Sequence, residues 1–233
     1  MRNHLHGVRI AVAIALGLAA AAIATDTAGF GTIHGLGQDA EHERITRRAL
    51  ACTPASAPGA CFEPDTLDSL AGRRGSFGAV GAPDRGRGML NGFAHCTDGD
   101  FLDIPAYPQT REQAEAALNA CRDYMLENLD HAVADAARLL AEGGRSRSRE
   151  IPERVSCVYV GSQHGRAKCN VLAHLGLILH ATQDFYSHSN WTDRPDPDRP
   201  IDVVNPPGLG NTGRATRLEL RRPDPHFPDG LIS

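Results

Sequence analysis

The chain has few aromatic residues and few runs of β-branched residues. Phe, Trp and Tyr make up only 5% of its 233 residues. Alanine and leucine instead recur at three- and four-residue spacing. That spacing places apolar side chains on one face of an α-helix, whereas strands favour alternation and β-branched or aromatic residues. The sequence therefore predicts an all-α fold.

Several common functional signatures are also missing. The sequence contains no P-loop and no G-x-S-x-G string, which argues against the usual nucleotide-triphosphate and serine-hydrolase sites. It has no C-x-x-C pair, so a zinc-thiolate or dithiol redox site is not predicted. The formal net charge of -4 gives no broad cationic surface, and we expect no stable binding of nucleic acid.

The longest apolar run lies near the start of the chain. It extends from Ile10 to Ala24, follows Arg2 and Arg9, and ends in the small-x-small string AIA. This arrangement predicts a secretory signal peptide over residues 1–24, with an uncleaved anchor as the alternative. The run is short for a membrane span. We therefore expect a secreted, extracellular protein with no transmembrane segment after cleavage.

The cysteines all follow this segment. They are Cys52, Cys61, Cys96, Cys121, Cys157 and Cys169. An even number of cysteines in a secreted chain is typical of disulfide bonds. Cys52 with Cys61 and Cys157 with Cys169 would close short loops, which leaves Cys96 with Cys121. The sequence leaves the other connectivities open.

Helical periodicity and its interruptions divide the chain. We predict helices over residues 40–51, with Asp39 as the N-cap, near 66–71, over 111–141 and over 167–187. Residues 52–102 are interrupted by Gly and Pro, which predicts a long disulfide-tied loop. More than half of the 15 prolines follow Trp191. Residues 25–191 are therefore the predicted helical metal-binding domain, and residues 192–233 a Pro-rich tail.

One predicted helix carries three potential metal ligands. His180, Asp184 and His188 are spaced four residues apart, and such positions share one face of a helix. Ala173 and Gly176 precede them on that face and leave room for another segment to approach. A buried carboxylate and imidazole must be paired or metal-bound, because burying an isolated charge is costly. The stripe indicates a metal site, with a hydrogen-bonded His/Asp pair in a helix bundle as the alternative.

Two strings resemble known zinc enzymes. Residues 176–184, GLILHATQD, resemble the H-x-x-x-D metal-binding helix of the bacterial zinc-dependent phospholipases C and the fungal single-strand zinc nucleases. With residues 187–191, SHSNW, the string is similar to the related Het-C and CinY-like branch. Residues 42–49, HERITRRA, are similar to the first phospholipase helix, which begins with a zinc-binding His. The resemblance implies a disulfide-tied helix bundle of the zinc-dependent phospholipase C type.

The resemblance also implies a ligand set. In the relatives, a loop between the two helices contributes an Asp and then a His, which correspond here to Asp84 and His95. These two residues, with His180 and Asp184, would hold one zinc ion. Asp184 would also bridge to a second zinc, because a shared carboxylate reduces the repulsion between two cations. The implied ligands are His42, Asp84, His95, His180, Asp184 and His188, for one, two or three Zn²⁺ ions.

The sequence departs from these relatives at three places. They use an N-terminal Trp as a ligand, but the only Trp here is Trp191, and His34 is the candidate substitute. They carry a His six residues after the bridging Asp, where this chain has Asn190. They also carry a downstream His-x-x-x-Asp/Glu pair, for which this chain offers His226 and Asp229 at a different spacing.

These features predict a secreted zinc-dependent phosphoesterase-like hydrolase of phospholipase C or nuclease type, with a phosphate ester as substrate. Asp84 or Asp184 would accept a proton from the attacking water. One alternative is a non-catalytic, metal-stabilised recognition module of the Het-C type. Another is a disulfide-tied helical protein without metal.

Overall fold

The computed structural model describes residues 29–35, 38–57, 59–73, 76–105, 107–151, 157–159, 165–215, 218–220 and 227–233. Within these residues the chain forms helices α1 (Glu41–Leu50), α2 (Pro64–Ala71), α3 (Gly92–His95), α4 (Arg111–Ala137) and α5 (Ala167–His188). Short 3-10 helices span Gly86–Leu90 and Glu142–Gly144, and strands β1 (His34–Gly35) and β2 (Gln38–Asp39) pair antiparallel. The predicted all-α class is confirmed. The predicted signal peptide, residues 1–24, lies outside the described residues.

Helices α4 and α5 pack along each other at the centre of the fold, and α3 contacts both. Leu118 and Met125 of α4 meet Ala181 and Phe185 of α5 in one buried apolar cluster. Fully burying a large apolar side chain of this kind contributes about 1.5–3 kcal/mol. This pairing holds α5, which carries the predicted metal stripe, in the interior of the protein.

The two ends of α4 are set by local sequence. At its start the Thr110 hydroxyl accepts a hydrogen bond from the Gln113 N–H, and the Gln113 side chain accepts from the Thr110 N–H. This reciprocal capping box satisfies two N–H groups that a helix start leaves unpaired. The predicted end at residue 141 is wrong by four residues. The chain folds back after Ala137, and the N–H of Arg147 donates to the carbonyl of Leu139.

The start of α1 also differs from the prediction. Asp39 is not the N-cap, because it belongs to β2 and its carboxylate pairs with His34 and Arg44. Ala40 occupies the cap position in the left-handed region, with φ of 49°, and gives no side-chain cap. The Glu41 carboxylate instead accepts the backbone N–H of Asp39. The acidic first turn that the sequence predicts is present, but no side chain caps it, and the N–H of His42 donates to the carbonyl of Gly31 instead.

Three disulfides connect the helices and loops in the predicted pairing. Cys52–Cys61 closes the loop after α1, Cys96–Cys121 joins the end of α3 to α4, and Cys157–Cys169 ties an upstream segment to α5. Disulfides of this number are typical of oxidising compartments and fit an extracellular protein. In the part of the chain that the structure describes, no helix has the length and apolar character needed to cross a bilayer.

The Pro-rich tail returns to the helices. The Asn190 amide group donates to the carbonyl of Gly230, and its Oδ1 accepts the N–H of Ile232 at 3.0 Å. Phe227 and Leu231 are buried in the cluster between α4 and α5. Most of the polar capacity of Asn190 is therefore used to hold the tail.

Trp191 follows the end of α5 and packs against this helix. Its ring lies 6.3 Å from the ring of Phe185, and its Nε1–H donates to the carbonyl of Gly213 at 2.8 Å.

Residues 208–213, GLGNTG, have the G-x-G-x-x-G spacing, but residues 192–215 contain neither strand nor helix. The strand-turn-helix setting that a dinucleotide site requires is therefore absent from that stretch.

Candidate metal centre

The fold brings together five of the six predicted ligands. His42 comes from α1, Asp84 from the loop before the Gly86–Leu90 helix, His95 from α3, and His180 and Asp184 from successive turns of α5. Both His42 and His180 have fully buried side chains, and the Asp184 side chain is 2% exposed. Exposure rises to 12% for His95 and 24% for Asp84. The cluster therefore extends from the core towards the surface.

A small residue on α5 lets one of these segments approach. A Cβ atom at Gly176 would lie 2.4 Å from the backbone carbon of Ala79. Such a distance is far below van der Waals contact, so only glycine allows this loop to cross the helix. The next residue, Val80, then places its carbonyl 2.8 Å from the Nδ1 of His180. As predicted, Gly176 leaves room for another segment of the chain to approach α5.

Three donor atoms converge on one point, and a fourth lies near two of them. The Asp184 Oδ2 lies 2.9 Å from both the Nε2 of His180 and the Nδ1 of His95, and these nitrogens lie 2.9 Å apart. The Asp84 Oδ1 lies 3.6 Å from the first nitrogen and 3.9 Å from the second. Tetrahedral zinc with bonds of about 2.0–2.1 Å has ligand atoms roughly 3.3 Å apart. The five separations lie around that value.

The three histidines present lone pairs to the cluster. A carbonyl oxygen faces the opposite ring nitrogen of each one: Val80 for His180, Gly88 for His95 and the Gln183 side chain for His42. A carbonyl only accepts, so each of those nitrogens carries the hydrogen in the neutral ring. The other nitrogen is then a lone-pair donor aimed at the cluster. Outer hydrogen bonds of this kind orient metal-binding histidines.

A further position lies between His42 and Asp184. The His42 Nε2 and the Asp184 Oδ1 are 3.2 Å apart and buried, yet among the described residues neither has a hydrogen-bond partner. With the hydrogen of the neutral ring on Nδ1, both atoms present lone pairs and cannot hydrogen-bond each other. The two atoms fit a shared cation better than each other. Because Oδ2 faces His95 and His180, Asp184 presents one oxygen to each of two positions.

The orientation of His42 depends on two further side chains. The Gln183 Nε2 donates to the Thr46 hydroxyl at 3.0 Å, which fixes the direction of the amide. The Gln183 Oε1 is therefore left to accept from the Nδ1 of His42 at 2.8 Å. Sequence analysis missed Gln183. It directly precedes Asp184, but its role depends on α1 packing against α5, which no local pattern indicates.

Asp84 is held in a similar way. The Thr32 hydroxyl donates to its Oδ2, which leaves Oδ1 as the oxygen nearest the imidazoles of His180 and His95. Thr32 lies 52 positions upstream and was not predicted. In the described residues, two groups already have their donor atoms within 4.8 Å of one another: His42 with Asp84 and His180, and His95 with His180 and Asp184.

The electrostatics of the cluster favour positive charge within it. Burial by itself lowers the pKa of His42 and of His95, but the close contact and negative charge of Asp184 outweigh it and raise both values. Burial raises the pKa of Asp184, and the contacts from the three histidines outweigh that and lower it. Protons on the imidazoles stabilise the carboxylate in the absence of metal. A divalent cation would do the same with the rings neutral.

A cleft of about 350 Å³ opens beside the cluster, and its walls include Asp84, His95 and His188. His188 lies one turn after Asp184, on this wall and outside both converging groups. Burial, together with the charges of the other histidines, lowers its pKa, which Asp184 only partly opposes. Gly29 packs on the ring, because a Cβ atom there would lie 2.3 Å from it. His188 therefore lines the approach to the cluster.

The remaining candidates lie elsewhere. His34 is exposed and pairs with Asp39, so it does not replace the missing Trp ligand. Asn190 is occupied by the tail backbone. His226 lies outside the described residues, so its pairing with Asp229 stays a prediction.

Comparison of the chain with protein-family models, with characterised proteins and with solved structures gives no match.

Proposed function

We propose that this protein is a secreted zinc-dependent hydrolase of phosphate esters, related to the zinc-dependent phospholipases C. The main support is the convergence of donor atoms from His95, His180 and Asp184 beside an open cleft, with an Asp84 oxygen 3.6 and 3.9 Å from the two imidazoles. A set of two imidazole nitrogens and two carboxylate oxygens suits Zn²⁺. His42 and the second oxygen of Asp184 form part of a further position for a second ion.

The chemistry follows from the positions of the two carboxylates. Bound zinc lowers the pKa of a coordinated water and neutralises charge on phosphoryl oxygens. Asp184 is buried and both of its oxygens face histidines. Its role is therefore to orient these histidines and to bridge the two ion positions. Asp84 is the more exposed of the two and lines the cleft. Of the two predicted catalytic carboxylates, Asp84 is therefore the one able to accept a proton from a water in the cleft.

The rim of the cleft indicates part of the substrate. Met89 and Leu90 line it and are 63% and 87% exposed. Exposed apolar side chains at the mouth of a polar site favour a ligand with an apolar part beside its phosphate. The proposal therefore favours an amphiphilic phosphodiester over a polynucleotide.

The test uses protein purified from culture medium. Zinc content is measured by mass spectrometry, and hydrolysis is assayed on bis-p-nitrophenyl phosphate, a short-chain phosphatidyl ester and a single-stranded oligonucleotide. The proposal expects bound zinc and hydrolysis that chelation abolishes and zinc restores. Metal-free protein after zinc-replete refolding would contradict it. Cleavage of the oligonucleotide alone would support the hydrolase and overturn the preference for an amphiphilic ester.

The second candidate function is a metal-stabilised recognition module of the Het-C type. The use of Asn190 favours it, because the relatives have a zinc-binding His at this position and here the side chain holds the tail. A zinc ion held by four protein ligands has the closed coordination of a structural site, which leaves no open position for a reacting water. Zinc present in the purified protein without hydrolysis of any of the three esters would select this function.

A further inference from the structure

A second pair of histidines lies between α4 and α5, outside the metal centre. His131 of α4 and His174 of α5 stack with their ring centroids 5.1 Å apart and their planes at 24°. His174 precedes His180 by six residues, about 9 Å along the helix axis. The two rings come from different helices, so their proximity is a product of the fold.

His174 has a fixed orientation and a defined tautomer. The amide nitrogen of the buried Asn128 donates to the carbonyl of Tyr124 at 2.8 Å. This contact assigns the amide orientation and leaves Oδ1 as the acceptor that faces the Nδ1 of His174 at 2.8 Å. Nδ1 therefore carries the hydrogen, and Nε2 carries a lone pair. An imidazole held through one nitrogen by a buried carbonyl oxygen has the arrangement found in metal ligands.

Two further donors lie on the adjacent face of α4. His131 and Glu127 are four residues apart, and the Nε2 of His131 lies 3.8 Å from the Oε1 of Glu127. Their side chains are 57% and 73% exposed, so both can change rotamer at low cost. Only the ring of His174 is already held in a fixed orientation. Binding of a cation would order the other two side chains around it.

The nearby carboxylate of Asp135 has a separate role. It pairs with Arg138 at 2.6 Å and accepts from the amide of Asn170 at 3.4 Å. These contacts occupy it, so it adds negative charge beside His174 without serving as a free donor. The carboxylate available to the two rings is therefore that of Glu127.

We infer that His131, His174 and Glu127 form a surface site for a divalent transition-metal ion that joins α4 to α5. Two imidazole nitrogens and one carboxylate oxygen suit Zn²⁺, Cu²⁺ or Ni²⁺, with water completing the coordination. The site shares no residue with the candidate metal centre. It does not depend on the proposed hydrolase activity.

The experiment titrates Ni²⁺ into full-length protein whose central site has been saturated with zinc. Calorimetry should detect one further site, which His174→Ala and His131→Ala each weaken by at least about tenfold. Asn128→Ala keeps all three donors but should weaken binding by about 10–100-fold, since it removes the group that orients His174. The matched control is His34→Ala, another exposed histidine paired with a carboxylate. It should leave the affinity unchanged.

A spectroscopic measurement guards against misfolded variants. Cu²⁺ bound at this site should give an electron paramagnetic resonance spectrum with two coordinated nitrogens, falling to one in His174→Ala. Equal weakening by His34→Ala, or a two-nitrogen spectrum that survives both His131→Ala and His174→Ala, would overturn the inference. The result does not depend on the central site, because the Asp184→Asn variant can be titrated in the same way.

Discussion

The Nε2 of His42 and the Oδ1 of Asp184 lie 3.2 Å apart in the protein interior, and within the described residues neither atom has a hydrogen-bond partner. Leaving two buried polar atoms unpaired costs about 1–3 kcal/mol each. The surrounding contacts nevertheless hold both in place: Gln183 orients His42, and the Oδ2 of Asp184 faces two other imidazoles. A cation bound to both atoms would explain why they are held in this arrangement.

Asp184→Asn should therefore remove bound metal. The amide keeps the size of the side chain but loses the charge and one acceptor oxygen, on which both proposed ion positions depend. Removing one partner from a buried charged set costs about 3 kcal/mol or more. For a chain of this size, that is a fall in Tm of about 6–12 °C. The check is zinc content and thermal unfolding of metal-loaded protein.

The control for this change is Asp123→Asn on α4, an Asp whose side chain is 76% exposed. Its zinc content and Tm should match those of the parent protein. Unchanged zinc content in Asp184→Asn would refute the bridging role of this residue.

Gln183→Met should affect one ion position more than the other. Methionine has a similar volume but cannot accept the Nδ1–H of His42 as the amide does, so the His42 ring loses its orientation. The loss of such an outer hydrogen bond weakens metal binding by about 10–100-fold. The ion at His95 and His180 should retain its affinity. Zinc titration with a chromogenic competitor measures both constants.

Gln183→Glu supplies the matched comparison, because the carboxylate still accepts from His42. It should bind zinc more tightly at that position than Gln183→Met does. If the two variants lose affinity equally, the hydrogen bond to His42 has no orienting role.

The stability of the metal-free protein should fall as pH rises. Folding raises the pKa of His42 and His95, since the contacts from Asp184 outweigh burial. Their contribution is complete below the ordinary value of 6.5 and is lost as pH rises through the folded-state values. Zinc-loaded protein should behave oppositely over about pH 6–8, because metal competes with protons for these rings. Thermal unfolding with chelator and with zinc measures both trends.

His42→Asn tests whether His42 is a source of this pH dependence. In chelator, it should reduce the slope of Tm against pH. Parallel slopes with and without zinc would show that the histidines of the cluster do not bind the metal.

Much of this arrangement could be predicted from the sequence. Helical periodicity predicts α4 and α5, and the four-residue spacing places His180 and Asp184 on one face. Loop length favours the observed disulfide pairing but leaves the other connectivities open. The missed residues, Thr32 and Gln183, make contacts across 52 and 141 positions of the chain. Their roles depend on how separate segments pack, and a local pattern carries no information about such distant partners.

The same limit explains why the prediction of Asp39 as the N-cap of α1 is wrong. Asp is a preferred capping residue, and the acidic first turn after it favours a helix start. Yet His34 and Arg44 attract the carboxylate into a local ion-pair cluster. The strand pairing of His34 with Asp39 brings these groups together, and the single-residue preference cannot anticipate it.

His131→Gln should raise the pKa of His174. Burial chiefly lowers this pKa, and the charge of His131 lowers it further, against a smaller opposing effect of Asp135. Removing His131 leaves burial in place, so the pKa should rise part of the way towards 6.5. Two-dimensional NMR of the imidazole protons of His174, followed through a pH titration without metal, measures the change.

The corresponding stability effect has the opposite sign from that of His42. A lowered pKa means that the His174 contribution is lost as pH falls below 6.5 through the folded-state value. His174→Gln should therefore flatten the acid side of the Tm profile, whereas the exposed His34→Gln should leave it unchanged. A His174 pKa that does not move in His131→Gln would mean that the stacked rings do not interact electrostatically.

Breaking the Cys96–Cys121 disulfide should weaken metal binding, because Cys96 directly follows His95 and the bond holds the end of α3 against α4. Replacing both cysteines by serine removes a cross-link worth about 2–4 kcal/mol of unfolding free energy. It should also lower zinc affinity, since His95 loses its anchor. The matched control is the double serine variant of Cys52 and Cys61, whose disulfide closes the loop after α1. That variant should lose stability but keep its zinc affinity. Equal zinc affinity in the two variants at a temperature where both are folded would show that the hydrogen bond from His95 to Gly88 is enough to position the ring.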